Sequence, residues 1–166
     1  MFGLPYNYFQ KDKKMTKKMT KPISASLEDY LECIYNIIQE KNGVKAIEIS
    51  RRLGVGRSSV TEALKILAEK ELINYGRYDV ISLTKEGSKV ALGVIFKHQT
   101  LKDFLIKVLC LSEENADIEA CKVEHVLCEE TIQHFISFIK YHEETANQDG
   151  NHPERYLAFH KKFLKR

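Results

Sequence analysis

The sequence predicts a mainly α-helical protein with one short β-hairpin near its middle. Apolar residues recur at intervals of three and four through most of residues 24–142, which is the spacing of one face of an α-helix. The exception is LINYGRYDVISLT, in which two short runs of strand-forming residues flank a turn. The 166 residues suffice for one sizeable domain or two small ones.

Composition excludes several classes of protein. The chain is 43% hydrophobic and 30% charged, which is ordinary for a globular protein. Its net charge is only +3, so local rather than global charge must indicate any nucleic-acid binding. We find no secretory signal, no apolar run long enough to span a bilayer and no CxxC pair among the four cysteines. We therefore expect a cytoplasmic protein without a disulfide framework.

The element order of the first half is typical of a winged helix-turn-helix domain. SASLEDYLECIYNIIQE predicts a first helix with Ser26 as its N-cap and an apolar stripe of Leu27, Leu31, Ile34 and Ile38. VKAIEISRRL predicts a second helix, and GVGRSSVTEALKILAEKEL predicts a tight turn and a third helix before the hairpin. Helix, turn, helix and hairpin follow one another as in that domain.

The third helix carries the candidate DNA contacts. It begins with the small residues Ser58 and Ser59, so its N-terminus can approach a phosphate or a base edge. We expect Arg57 to contact a base, because its guanidinium can donate two hydrogen bonds to guanine. We expect Arg51, Arg52 and Lys65 to meet phosphates, Ser58 and Thr61 to touch bases or phosphate, and Arg77 to reach the backbone or the minor groove. The full candidate set is Arg51, Arg52, Arg57, Ser58, Ser59, Thr61, Lys65 and Arg77. The alternative is a winged helix that contacts only protein.

The second half is predicted to be all-helical. A long helix is expected from about residue 85 to residue 109, followed by helices over roughly 113–126 and 129–142. The predicted domains are 24–84 and 85–142, and we assign no role to the tail, 143–166. Residues 1–23 include the basic run KDKKMTKKMTK and predict a mobile arm, unless the chain starts at Met15 or Met19.

Three places in the sequence carry metal-ligand side chains. Cys121, Glu124 and His125 are spaced i, i+3 and i+4, so on a helix they share one face, although alone this is weak evidence. Asp29 and Glu32 are spaced i, i+3 on the first helix and could instead be carboxylates favoured by the helix dipole. His98 falls on the apolar stripe of the long helix, where a core histidine is the alternative. Together the six side chains suit a divalent first-row metal ion better than a tetrahedral structural zinc ion.

Several segments resemble a known family. ASLEDYLECIY, SSVTEALKILAEKELI, ISLTKEGSKVA, KHQTLKDFL and EACKVEHVLCEE are similar, in order, to the metal-dependent repressors related to the diphtheria toxin repressor and the manganese transport regulator. The resemblance implies a winged-helix domain, a helical dimerisation domain and a homodimer that binds operator DNA when loaded with Fe(II) or Mn(II). By position, it implies that Asp29, Glu32, His98, Glu124 and His125 are metal ligands.

Position 121 departs from the manganese type within this resemblance. Cys121 matches the iron type, whereas Asp29 matches the manganese type, so the expected site is a hybrid. A thiolate is a softer ligand than a carboxylate, which favours Fe(II), with Mn(II) second. The iron type also has an ancillary site, but Lys102 and Asp117 stand where its other partners are expected, and a charged lysine cannot ligate. A two-metal cluster, as in some manganese-type members, remains an alternative.

The expected mechanism is a metal ion that ties the two domains together. Without the ion, the carboxylates repel one another and the DNA-competent arrangement is a minor population. We expect a homodimer through the apolar stripe Ile132, Phe135, Ile136 and Ile139, with an intramolecular core as the alternative. The rival functions are a winged-helix regulator that senses an organic ligand, or redox state through Cys121. An enzyme is not expected, because no separate general-base motif and no phosphate-binding glycine loop is evident.

Overall fold

The computed structural model describes residues 23–41, 43–76, 81–149 and 152–164. Nearly all of the proposed basic arm and the candidate DNA contact Arg77 therefore lie outside the described residues. The elements in chain order are α1 (Ala25–Glu40), α2 (Ala46–Leu53), α3 (Arg57–Glu69), β1 (Ile73–Asn74), β2 (Ser82–Leu83), α4 (Lys85–Lys107), α5 (Glu113–Val123), α6 (Glu129–Asp149) and α7 (His152–Phe163). The prediction of a mainly α-helical chain with a helix-turn-helix and a hairpin is confirmed.

Helix α1 begins earlier than predicted. Its N-cap is Ser24 rather than Ser26, and the Ser24 hydroxyl accepts a hydrogen bond from the backbone N–H of Leu27 at 3.4 Å. The buried stripe also differs, because Ile37 is fully buried whereas Ile38 is only partly buried. Both errors arose because two serines and two adjacent isoleucines offered equivalent choices of cap and of helix face.

The first lobe packs α1, α2, α3 and the hairpin around one core. Its largest buried side chains include Leu31, Ile34, Ile49, Leu64 and Leu67. The hairpin is antiparallel, with Ile73 opposite Leu83 and Asn74 opposite Ser82. Gly54 ends α2 in the left-handed region at φ 65°, which allows the tight turn into α3.

Helix α4 joins the two lobes. Its N-terminal half packs on the first core through Ala91, and its C-terminal half packs on a second core through Leu101. The second core also contains Ala120 of α5 and Ile132 and Ile136 of α6. A single continuous helix therefore fixes where α5 and its following turn lie relative to α1. None of the helices in the described part of the chain is both long enough and apolar enough to span a lipid bilayer.

The residues predicted as a dimer surface take part in the second lobe's own packing. Ile132, Ile136 and Ile139 are buried within the single chain, and the ring of Phe135 lies 4.6 Å from that of Phe104. Their burial favours the intramolecular alternative for this stripe, because a residue covered within one chain has little surface left for a partner. The exposed aromatic residues of α6 are instead Phe138 and Tyr141.

The ends of the second lobe differ from the prediction. Helix α5 ends at Val123 rather than near residue 126, and α6 continues to Asp149 rather than ending near residue 142. The tail, to which no role was assigned, contains α7, whose Leu157, Phe159 and Phe163 are exposed.

Candidate metal centre and nucleic-acid face

The metal-ligand side chains meet where the two lobes join. Helix α1 belongs to the first lobe and carries Asp29 and Glu32. Glu124 and His125 lie in the turn that follows α5 in the second lobe, rather than within the helix as predicted. Residues that are distant in sequence thus form one polar cluster, because α4 holds both lobes against each other.

The imidazole of His125 bridges the lobes. Its Nδ1 lies 2.7 Å from Oε2 of Glu28, and its Nε2 lies 2.9 Å from Oδ1 of Asp29. Burial opposes protonation of this ring, but the hydrogen bond to Glu28 and the charges of Asp29 and Glu124 outweigh it and raise the pKa of His125.

Glu124 is the most deeply buried carboxylate of the cluster, with its side chain only 1% exposed. Its Oε2 lies 2.6 Å from Nδ1 of His98, and its Oε1 lies 3.3 Å from Nε2 of His125. Burial first, and then the negative charge of Glu124, raise the pKa of Glu32, while His98 acts in the opposite direction. The carboxylates therefore destabilise one another when the cluster holds no added positive charge.

Two buried polar atoms of the cluster indicate a binding site for a cation. Among the described residues, Oε1 of Glu124 and Nε2 of His125 are buried and form no hydrogen bond, although Nε2 lies 2.9 Å from Oδ1 of Asp29 and 3.3 Å from that Glu124 oxygen. Leaving buried polar atoms unsatisfied costs free energy, so a native structure usually supplies them with a partner. The ligand atoms of Asp29, Glu124 and His125 lie within 4.8 Å of one another, and this oxygen and nitrogen set fits a divalent metal ion.

The other predicted ligands are not members of this three-residue group. Burial, and then the negative charge of Glu124, raise the pKa of Glu32, so its carboxylate is electrostatically coupled to the cluster without being one of the three residues whose ligand atoms converge. Cys121 is exposed, and the pKa of its thiol is raised by desolvation and by Glu124, Asp29 and Glu32. Among the described residues, the structure therefore brings together the ligand atoms of Asp29, Glu124 and His125 and places His98 against Glu124, while Glu32 and Cys121 stay outside this group.

His98 is held between two carboxylates. Besides its contact with Glu124, its Nε2 lies 3.3 Å from Oδ1 of Asp117. The hydrogen bond to Glu124 is the main reason that the pKa of His98 is raised. Lys102 lies 2.7 Å from the same Asp117 oxygen, which lowers the pKa of Asp117.

Sequence reasoning missed Glu28 as a member of the cluster. A histidine that ligates a metal usually donates its other ring N–H to a carboxylate, and Glu28 stands at that second nitrogen. No spacing rule could have found the pair, because the two residues are 97 positions apart. The only signal was the acidic neighbour of Asp29 in SLEDYLE.

The candidate DNA contacts lie on α2 and α3. Helix α3 has Gly56 as its N-cap with no side-chain cap bond, so no capping side chain competes with an anion for the backbone N–H groups of its first turn. Exposed side chains of this region are Arg51, Arg52, Arg57, Ser58, Ser59 and Lys65. Thr61 is half-buried, and its hydroxyl donates a 2.9 Å hydrogen bond to the carbonyl of Arg57.

Arg52 has a structural partner. Both terminal nitrogens of its guanidinium bind the carboxylate of Glu40, one of them at 2.9 Å. This bidentate pair joins α2 to the end of α1. A phosphate contact by Arg52 would require this pair to open or to share the guanidinium.

The chain is similar to known regulators along most of its length. Residues 22–80 match the family model of the iron-dependent repressor N-terminal DNA-binding domain, and residues 84–152 match that of the iron-dependent repressor metal-binding and dimerisation domain. The uncharacterized HTH-type transcriptional regulator MJ0568 of Methanocaldococcus jannaschii is 40% identical over 119 residues, which are 71% of this chain and 95% of that protein. The HTH-type transcriptional regulator MntR of Geobacillus kaustophilus is 33% identical over 121 residues, or 73% of this chain and 85% of that protein.

A solved structure of a manganese-dependent transcriptional repressor in complex with manganese superimposes with a TM-score of 0.64 at 26% identity. The match covers 69% of this chain and 53% of that one, so this chain spans about half the length of the solved relative. The two adjoining family matches and the 40% identity to a relative that is covered almost end to end lead to one conclusion. The chain belongs to the family of iron-dependent repressors.

Proposed function

We propose that this chain is a metal-activated transcriptional repressor of metal homeostasis, which binds operator DNA as a homodimer and holds Fe(II) or Mn(II) between its lobes. One observation carries the proposal. The ligand atoms of Asp29, on the DNA-binding lobe, and of Glu124 and His125, on the second lobe, converge within 4.8 Å, and two of them are buried without a hydrogen-bond partner.

The residues of the cluster fall into those that would bind the ion and those that would orient the ligands. Asp29, Glu32, Glu124 and His125 would hold the ion, with His98 and Cys121 beside them. Glu28 accepts a hydrogen bond from Nδ1–H of His125 and so directs the free electron pair of Nε2 toward the cluster. A bound ion supplies positive charge that offsets the mutual repulsion of these carboxylates.

The chain's own geometry connects this cluster to DNA binding. Helix α1 bears Asp29 and Glu32, and it packs through Leu31 and Ile34 against the core that also positions α3. A restraint on α1 relative to the second lobe is therefore a restraint on where α3 lies. In a homodimer, the separation of two such helices must match half-sites about 34–36 Å apart or a multiple of that distance.

The choice between metals depends on the donor types. Oxygen donors from Asp29, Glu32 and Glu124 suit both Mn(II) and Fe(II), and imidazole is a good ligand for iron. A thiolate from Cys121 would favour Fe(II) over Mn(II). We therefore expect Fe(II) to act at lower free concentration, with Mn(II) also effective.

A DNA-binding titration tests the proposal. Duplexes would be selected from a random-sequence library with Mn(II)-loaded protein, and the chelated protein would serve for counter-selection. Binding of the selected duplex would then be measured anaerobically by fluorescence anisotropy during separate titrations with Fe(II), Mn(II) and Zn(II). We expect Fe(II) and Mn(II) to tighten binding by about 5- to 150-fold, the usual range of coupling between two ligand sites.

Variants make this test specific to the cluster. His125→Ala should abolish the metal response while circular dichroism remains that of a folded helical protein. His134→Ala is the matched control, because His134 is an exposed histidine of α6. Equal DNA affinity in chelator and in saturating Fe(II) or Mn(II), or a normal metal response of His125→Ala, would refute the proposed function or the assigned site, respectively.

A further inference from the structure

The ammonium of Lys102 lies next to the cluster, on α4. Its Nζ lies 2.7 Å from Oδ1 of Asp117 and 3.5 Å from Oε1 of Glu113, both on α5. The lysine side chain is only 17% exposed, whereas the two carboxylates are more open to solvent. Lys102 thus fills the space between the carboxylates rather than extending into water.

The same Asp117 oxygen also faces an imidazole nitrogen. Oδ1 of Asp117 lies 3.3 Å from Nε2 of His98, whose Nδ1 in turn lies 2.6 Å from Glu124. A row of contacts therefore runs from Lys102 through Asp117 and His98 to Glu124. It reaches Glu124 at Oε2, whereas Oε1 is the oxygen that faces His125.

Without the ammonium, this side of the cluster would offer another ligand set. Glu113 and Asp117 provide carboxylate oxygens, and His98 provides Nε2, which together form the oxygen and nitrogen combination that divalent metals prefer. A lysine donates hydrogen bonds and carries a positive charge, so it occupies the oxygen lone pairs and repels an incoming cation.

We infer that Lys102 acts as a built-in cation, which closes the Glu113–Asp117–His98 face to metal and limits each chain to a single ion at the lobe junction. The inference rests on the proposed function, because it concerns how many ions the same cluster takes. Lys102 is a positioning residue in this scheme, since it holds Asp117 in place and touches none of the Asp29, Glu124 and His125 atoms that converge at the junction.

Metal stoichiometry of the full-length chain tests the inference. Purified protein would be dialysed anaerobically to equilibrium against increasing MnCl2, and bound manganese would be counted by mass spectrometry. Wild-type protein should bind about one ion per chain, and Lys102→Glu should bind about two, because the substitution removes a positive charge and adds a carboxylate. Lys102→Arg should remain at about one, because it preserves the positive charge.

Matched variants separate this effect from general electrostatics. Lys89→Glu makes the same charge change on the same helix, where Lys89 pairs with Glu86, and should leave the stoichiometry at about one. Adding Asp117→Asn to Lys102→Glu should return the stoichiometry toward about one. If Lys102→Glu does not fold by circular dichroism, Lys102→Gln carries the test, with a second and weaker ion expected.

The outcomes distinguish two failures. A wild-type protein that binds about two ions, or a folded Lys102→Glu and Lys102→Gln that both bind about one, would overturn the inference and leave the proposed function standing. A wild-type protein that binds no manganese in this dialysis, and no ferrous ion in a parallel anaerobic dialysis against a ferrous salt, would overturn the proposed function itself.

Discussion

Nε2 of His125 lies 2.9 Å from Oδ1 of Asp29, although the two residues belong to different lobes of the chain. Glu28, the sequence neighbour of Asp29, contacts the other nitrogen of the same ring. The imidazole is therefore clamped on both sides by α1, and the junction between the lobes depends on the charge state of a few side chains. The role of each side chain in the cluster can therefore be tested by substitutions that change its charge but hardly change its size.

Glu28→Gln tests whether the second partner of His125 matters for metal binding. The amide keeps the size of the side chain but removes the charge that orients the ring and raises its basicity. We expect Mn(II) affinity to fall by about 10- to 100-fold, the usual cost of losing such a partner, without loss of the metal ligands. Isothermal titration calorimetry under anaerobic conditions measures the change.

Glu86→Gln is the control for this substitution. Glu86 lies at the start of α4, where it pairs with Lys89 away from the cluster, so its variant should bind Mn(II) like the wild type. Equal affinity of Glu28→Gln and Glu86→Gln would show that Glu28 does not support the metal site.

Cys121→Glu tests the contribution of the thiol to metal preference. Desolvation first, and then the charges of Glu124, Asp29 and Glu32, raise the pKa of the Cys121 thiol. Replacing a soft sulfur donor by an oxygen donor should shift the order of potency toward Mn(II). The ratio of the Fe(II) and Mn(II) concentrations that give half-maximal DNA binding measures this shift. An unchanged ratio would contradict a ligand role for the thiol, and Cys128→Ser, which changes an exposed cysteine beyond α5, is the control.

The stability of the metal-free protein should fall as pH rises above about 6.5. The pKa values of His98 and His125 are both raised. The hydrogen bond to Glu124 is the main cause for His98. For His125, burial lowers the pKa, but the hydrogen bond to Glu28 and the neighbouring negative charges raise it by more. A histidine whose pKa is higher in the folded than in the unfolded protein stabilises the fold fully at pH values below its unfolded pKa of about 6.5. This stabilisation is lost as the pH rises through the pKa of the folded protein. Each proton contributes a slope of at most about 1.4 kcal/mol per pH unit.

Urea unfolding in chelator at fixed protein concentration and ionic strength, from about pH 6 to pH 9, measures this slope. His125→Gln should flatten the profile, because it removes one of the two titrating rings. A free energy of unfolding that increases across this range would contradict the arrangement of charges around the two histidines.

Arg57→Ala and Lys65→Ala should weaken DNA binding in different ways. Arg57 is the first residue of α3, where a guanidinium can reach base edges, so its loss should cost about 1–3 kcal/mol and relax the base preference at one position. Lys65 lies further along the exposed side of α3, where a phosphate contact is expected. Its loss should weaken binding to all selected duplexes alike and reduce the salt dependence by about one unit of slope. Identical sequence preferences in both variants and the wild type would contradict the role of Arg57.

The helices were predictable because their apolar periods are strong. Leu31, Ile34, Leu64 and Leu67 repeat at helical spacing, and all are buried in the first core. The end of α5 was not predictable, because Glu124, His125 and Val126 continue the helical pattern in sequence, whereas in the structure Glu124 caps the helix and the N–H of Val126 donates to the carbonyl of Val123 in a tighter turn. Burial of Glu124 against His98 and His125 is a tertiary effect, which no local pattern encodes.

The six-residue ligand set was predictable only in part from spacing. Helical spacing predicts that Asp29 and Glu32 share one face of α1, and that Cys121, Glu124 and His125 share another face near α5. The two groups meet only because α4 packs against both lobes, which the spacing does not reveal. Glu28 and the bidentate pair of Arg52 with Glu40 were missed for the same reason, because long-range polar contacts leave no periodic trace. A lone glutamate next to a ligand looks like any helix-surface carboxylate.

Gly87→Ala should destabilise the first lobe, because α4 approaches the hairpin closely at this position. A Cβ atom at residue 87 would lie 1.8 Å from the carbonyl oxygen of Leu72, a backbone atom that cannot rotate away. Thr84 reinforces the approach, since its hydroxyl donates to the carbonyl of Glu71 and accepts from the N–H of Gly87. We expect a loss of about 1–3 kcal/mol or more in the free energy of unfolding. Gly93→Ala on the same helix has no atom within 4 Å of its added Cβ and should be neutral or stabilising by up to about 1 kcal/mol. Urea unfolding of both variants in chelator measures the difference, and equal stabilities would contradict the close packing of α4 on the hairpin.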